Sequence, residues 1–219
     1  AITKNGLIKK TALNEFDTKR TTGLIAINLK DEDELIAIKQ STGSNNIIIV
    51  TKKGKCISFS EKDVRPMGRI ASGVRAIKLD KDDEVVSMEL VEPEQQLMVV
   101  TENGFGKRTP VEEYKIQVRG GKGLLTYDKA KFSKTGALIG AMVVDESDEI
   151  LMINSDGIII RIRASEVSIL GRATQGVKIM KVDEGSKIVA IAKAIRDDED
   201  EAEESAPSTS NETEEQISL

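Results

Sequence analysis

A chain of 219 residues with 39% hydrophobic side chains is long enough to bury a core, as one domain or two small ones. It has no His, no Trp and a single cysteine, Cys56, which excludes an intramolecular disulfide, a Cys/His zinc site and histidine-based acid–base catalysis. The net charge of −5 is unevenly spread: ten of the 37 carboxylates fall between Asp197 and Leu219, where there is no Lys or Arg, so the preceding 196 residues carry 32 basic against 27 acidic side chains. No stretch of about 18 apolar residues and no signal peptide is present, so the expected setting is a reducing cytoplasm and no membrane partner is expected.

Taken in order, the chain repeats itself. A turn signature, Thr-x-x-Gly, occurs at Thr3-Lys4-Asn5-Gly6, Thr51-Lys52-Lys53-Gly54 and Thr101-Glu102-Asn103-Gly104, with a fourth copy, Asn154-Ser155-Asp156-Gly157, that departs at its first position. Apolar runs such as Ile47-Ile48-Ile49-Val50, Leu97-Met98-Val99-Val100 and Ile150-Leu151-Met152-Ile153 enter these turns. Glycine supplies the positive φ of a primed turn, so each copy predicts a β-hairpin. A second marker follows each hairpin, a glycine leading a short strand: Gly23-Leu24-Ile25, Gly73-Val74-Arg75, Gly123-Leu124-Leu125 and Gly176-Val177-Lys178, spaced 50, 50 and 53 residues apart. An often acidic turn and a last apolar strand close each unit. The spacing predicts an all-β, propeller-like array of about four blades of four strands over residues 1–196, with blades at roughly 1–50, 51–100, 101–153 and 154–196. The array starts and stops in mid-unit, and the expectation is that further units precede Ala1. The acidic segment 197–219 is expected to be disordered, serving solubility or competing with a ligand for basic surface.

Four positions before each leading glycine stands a cation: Lys19, Arg69, Arg119 and Arg172. The densest copy is Gln117-Val118-Arg119-Gly120-Gly121-Lys122-Gly123, a basic turn whose glycines open the backbone and leave N–H groups for an anion. Arg20, Arg75 and Lys178 lie beside the others, so that Lys19, Arg20, Arg69, Arg75, Arg119, Gly120, Gly121, Lys122, Arg172 and Lys178 form the candidate phosphate-binding set. The alternative for any one of them is a solvated surface charge. For Lys9, Lys10, Lys107, Arg108, Arg161 and Arg163, a solvated or edge-guarding role is expected at least as much as contact with phosphate. Asp80, Asp82 and Asp83 read as an exposed turn rather than a metal loop, Cys56 as a small core residue, and Met88, Met98 and Met152 as core filler. No catalytic residue, metal ligand or cofactor site is predicted.

The basic Gly-Gly box, the recurring Gly-Arg-x-x-x-Gly-Val motif at Gly68–Val74 and Gly171–Val177, the phrase Phe105-Gly106-Lys107-Arg108-Thr109 and the acidic tail together resemble the C-terminal domain of the DNA gyrase A subunit, over residues 1 to about 196. The resemblance implies a six-bladed β-pinwheel, of which this chain supplies the last four blades, whose rim binds double-stranded DNA and wraps it without reading its sequence. It also implies a nucleoid-associated bacterial assembly of two A and two B subunits, in which ATP, Mg²⁺ and the catalytic tyrosine belong to other parts. Here the box has Val118 where the family has arginine, and Tyr114 and Tyr127 sit inside blades. The homologous domain of topoisomerase IV, and a propeller acting as a protein-interaction platform, are the alternative readings.

Overall fold

The computed structural model describes residues 1–194, and the acidic segment 197–219 lies outside the described residues. Four repeats each supply a hairpin and a closing strand. The first gives β1 (Ile2–Thr3), β2 (Leu7–Ile8) and β3 (Leu35–Ala37). The second gives β4 (Asn46–Thr51), β5 (Lys55–Ser60), the short β6 (Val74–Arg75) and β7 (Val85–Val91). The third gives β8 (Gln96–Thr101), β9 (Phe105–Pro110), β10 (Leu124–Leu125) and β11 (Leu138–Val144), and the fourth β12 (Glu149–Asn154), β13 (Ile159–Arg163), β14 (Val177–Lys178) and β15 (Ile188–Lys193). These make antiparallel sheets in the orders β3-β1-β2-β6, β7-β4-β5-β10, β11-β8-β9-β14 and β15-β12-β13.

The array is therefore all-β, as expected, but no repeat completes its own sheet. The strand behind each leading glycine crosses to the hairpin of the repeat before it: Val74 pairs with Ile8, Leu124 with Cys56 and Val177 with Gly106. Gly23-Leu24-Ile25 has no earlier hairpin in this chain and forms no strand. The expected four-stranded units thus become three four-stranded sheets, each with its outermost strand borrowed from the next repeat, and one of three strands.

The hairpin turns also differ from the primed type. Gly6, Gly54, Gly104 and Gly157 have φ between 75° and 82°, whereas the residues before them do not take positive φ. Each glycine N–H donates to the carbonyl of the first turn residue at 3.0–3.1 Å, so the loop is a four-residue turn ending in a left-handed glycine, the bulged hairpin. The Thr3, Thr51 and Thr101 hydroxyls accept the N–H four residues on, at 3.1–3.2 Å. Asn154 Oδ1 accepts the N–H of Ile158 at 2.8 Å in the same way, so the departure at the fourth copy keeps the acceptor. The acidic turns are not simply solvated. Asp33 and Asp83 are buried, and their Oδ1 atoms accept from Asn5 and Lys53 N–H, capping the hairpin turns.

Three core clusters fill the gaps between successive sheets. Ile47 and Ile49 face the first gap while Ile48 and Val50 face the second, and Leu97 and Val99 face the second while Met98 and Val100 face the third. Both faces of the middle sheets are covered, which is why their strands read as unbroken apolar runs rather than alternation. Met88, Met98, Met152 and Cys56 are buried among them. The closing strands β3, β7, β11 and β15 pack side by side around a central cavity of about 550 Å³, leaving the borrowed strands at the outer rim.

The leading glycines are what allow the exchange. A Cβ on Gly73, Gly123 or Gly176, all at positive φ, would lie 2.5–2.6 Å from the carbonyl oxygen of Ile8, Cys56 or Gly106, while one on Gly23 would meet nothing within 4 Å. Gly123→Ala is expected to destabilise the chain by at least about 3 kcal/mol, combining left-handed backbone strain with a backbone clash. Gly23→Ala should cost no more than about 1–2 kcal/mol, and urea denaturation of the two variants checks the contrast.

Candidate nucleic-acid interface

Each borrowed strand is preceded by a seven-residue turn: 67–73, 117–123 and 170–176. The start of each turn is pinned to the preceding hairpin by the same bond, Met67 N–H to Lys10 O, Gln117 N–H to Ser58 O and Leu170 N–H to Arg108 O, at 2.7–2.8 Å. Its end is pinned by the borrowed strand, with Ala76, Thr126 and Ile179 N–H donating to the carbonyls of the turn glycines Gly6, Gly54 and Gly104 at 2.8–2.9 Å. Both ends being fixed, the third residue of every turn, Arg69, Arg119 or Arg172, occupies an equivalent place at the outer end of a sheet.

Those arginines also share a bond. Arg69 Nη1 donates to Ile25 O at 3.5 Å, Arg119 Nη1 to Arg75 O, and Arg172 Nη1 to Leu125 O at 3.2 Å, in each case two residues past the leading glycine of the preceding repeat. Arg119 Nε donates further to Asp63 O at 3.0 Å. All three are half-buried. A guanidinium has five N–H donors, so each retains donors for an anion while its plane is fixed.

The other candidates divide. Arg75 on β6 and Lys122 are exposed, and the bond from Arg119 brings Arg75 together with the 117–123 turn. Lys178 is exposed on β14, with its ammonium 5.3 Å from the centre of the Phe105 ring, where Lys134 also approaches to 5.5 Å. Lys19 and Arg20 are exposed on the strand-free segment between Phe16 and Leu35. Of the Gly-Gly pair, Gly120 does not offer the amide expected of it: its N–H donates to Ala76 O, and Gly121 O accepts from Lys78 N–H, both at 2.7 Å. The exposed tip is instead Val118, 84% accessible.

Several cations assigned to solvent lie inside. Lys107 is fully buried, and its Nζ donates to Gly171 O at 2.6 Å, to Arg172 O and to Thr174 Oγ1 at 3.1 Å. Lys9 is buried likewise, donating to Ala26 O at 2.6 Å and to Arg69 O. Arg108, also buried, donates to Val167 O, Gln96 Oε1 and Ser165 O. Lys10 reaches Glu61, whose buried carboxylate accepts from Ser41 and from Gly43 and Asn45 N–H, and Arg161 pairs with Glu149. The signal was available: Lys9 and Lys107 stand three residues past the turn glycine, where the second and fourth repeats have Ile57 and Ile160.

Burial lowers the Lys107 ammonium to about 8 from the ordinary 10.5, with Arg172 adding to the effect and Glu113 opposing it. Between these values the unfolded chain binds the proton that the folded chain releases, so rising pH favours folding across that window. The urea midpoint of the unaltered chain, relative to a Lys107→Met variant, is expected to rise between pH 8 and 10.5; a fall over that range contradicts the burial.

Tyr114 and Tyr127 are buried, and their hydroxyls bond Thr126 Oγ1 and Gln175 O; burial pushes both phenols above the ordinary range. Burial also pushes the Cys56 thiol up, as suits a core residue. Among the described residues no cluster of His, Cys, Asp or Glu is arranged to hold a metal ion, and no helix is long and apolar enough to cross a membrane.

A model of the DNA gyrase C-terminal domain, described as a beta-propeller, matches residues 1–41, 45–92, 95–145 and 148–194. The DNA gyrase A subunit of Mycolicibacterium smegmatis is 43% identical over 207 residues, covering 93% of this chain and 24% of that protein. Its Salmonella typhimurium counterpart is 41% identical over 199 residues, covering 91% of this chain and 22% of that protein. The chain thus spans about a quarter of the length of these relatives. Among solved structures, a DNA gyrase A C-terminal domain superposes with a TM-score of 0.80 at 30% identity, covering 89% of this chain and 64% of that one. The C-terminal domain of a DNA topoisomerase IV gives 0.83 at 26% identity, covering 88% and 60%.

Proposed function

The chain belongs to the DNA gyrase C-terminal domain family, and we propose that it binds double-stranded DNA without sequence readout and wraps it around the rim of the array. The observation that supports this most directly is the threefold recurrence of one pinned basic turn at the same edge of successive sheets, with Arg69, Arg119 and Arg172 in equivalent positions. Phosphates repeat along a duplex, and a repeating cationic edge matches them without base contacts. The cost of bending the duplex is offset by the contacts that a curved rim adds. Aromatic residues make up 3% of the chain and are mostly buried, which disfavours single-strand binding by stacking.

In this reading Arg75, Lys122 and Lys178 extend the rim, and Lys19 and Arg20 continue it onto the first repeat. The chain performs no chemistry: strand cleavage and ATP hydrolysis, with ATP and Mg²⁺, fall to the other domains of the gyrase A polypeptide and to its ATPase partner, the gyrase B polypeptide. Its part is to present a coiled duplex segment for strand passage.

Ligation of nicked circular duplex in the presence of the chain tests this. A positive linking difference that fades as salt is raised is expected. Binding with no linking change overturns wrapping, and absence of binding at low salt overturns the whole reading in favour of a protein-interaction platform.

A further inference from the structure

A lysine with no accessible surface needs a reason to be there, because an ammonium removed from water must recover its hydrogen bonds from the protein. Lys107 recovers them from one place. All three of its acceptors, Gly171 O, Arg172 O and Thr174 Oγ1, belong to the basic turn of the next repeat, 64–67 residues away in sequence. Arg172 is consequently held at every polar point of its backbone and at its side chain: its carbonyl by Lys107, its N–H by Glu113 Oε2 at 3.2 Å, and its guanidinium by Leu125 O. Lys107 is itself confined, its ammonium lying 5.9 Å from the centre of the Tyr127 ring, whose hydroxyl bonds Gln175 O of the same turn.

The first repeat contains the same device, Lys9 donating to Arg69 O. The second has Ile57 at that offset, and its turn is held instead from outside, by Arg119 donating to Asp63 O and Arg75 O. Where the buried lysine is present, the turn arginine bonds the backbone through Nη1, whereas Arg119 uses Nε as well.

We propose that Lys107 is a positioning residue for DNA binding: it touches no phosphate, but fixes the 170–176 turn so that the Arg172 guanidinium is preorganised toward one. This deepens the DNA-binding reading above and rests on it. Ordering a turn before binding removes a conformational cost from the complex, so losing the clamp should act as losing the arginine does.

The experiment compares the unaltered chain with Lys107→Met, Arg172→Ala and the double variant, titrated onto linear random-sequence duplex at several salt concentrations. Amide hydrogen exchange of the segment 168–180 is followed without DNA. Lys107→Met is expected to bind about three- to tenfold more weakly at low salt, with a log–log salt slope shallower by about 0.9, the value of one phosphate contact. Arg172→Ala should match it, and the double variant should be no weaker than either. Faster exchange in 168–180 is expected in Lys107→Met. A weaker affinity with an unchanged slope overturns the proposal, since it reports only a smaller folded fraction. Additive effects in the double variant also overturn it. Unchanged exchange overturns the clamp whatever the DNA result, whereas absence of binding by the unaltered chain overturns the DNA reading and leaves exchange to decide the clamp. Should Lys107→Met not fold, Thr174→Val removes one acceptor and keeps the lysine; it must shift the slope the same way, and an unshifted slope overturns the proposal.

Discussion

At each seam between repeats two backbones come closer than side chains permit. A Cβ at Gly123 would sit 2.5 Å from Cys56 O, and the same is true, within a tenth of an ångström, of Gly73 over Ile8 and Gly176 over Gly106. The short strand that follows each glycine can reach the neighbouring hairpin only because nothing projects there. From that approach the rest follows. The pairing of β6 with β2, β10 with β5 and β14 with β9 draws adjacent sheets together, and the hydrophobic clusters fill the gaps so defined. The same pairing fixes the far ends of the turns 67–73, 117–123 and 170–176.

The seams are polar as well as apolar, and the polar contacts decide where the positive charge goes. Lys9, Lys107 and Arg108 are consumed by carbonyls of the next repeat, and Lys55 and Lys129 by Asp80. Arg75, Lys122 and Lys178, on the turns and borrowed strands, are among the cations that remain exposed.

Much of the fold was legible in the sequence, because local rules govern local elements. Glycine after Thr-x-x marks the hairpins, and the unbroken runs at 47–50 and 97–100 mark strands covered on both faces. What could not be read was where a strand goes once it leaves its repeat: Val74 carries no information about Ile8, which lies 66 residues earlier, and only the recurring glycine hinted at a close approach. The candidate site was legible as a set of turns but not as a set of atoms. Gly120 N–H is consumed by Ala76 O rather than left for an anion, and Lys107 is buried although a lysine at a strand edge is expected in solvent. Comparing offsets between repeats would have shown the second, since isoleucine at the same offset in two repeats marks an inward position.

Borrowed strands also determine how the array bears force. A pull on the 170–176 turn is delivered at one end to β9, through Leu170 and Arg108, and at the other through β14, whose pairing runs along the same β9. The turn is an outgrowth of the fourth repeat, yet its anchorage lies in the sheet of the third. Load applied to one repeat is therefore shared in shear by two sheets, and tension along the rim tightens each seam against its neighbour instead of prising a single blade outward. A cut in the linker between two repeats would leave them stitched together by backbone hydrogen bonds, in the manner of overlapping roof tiles.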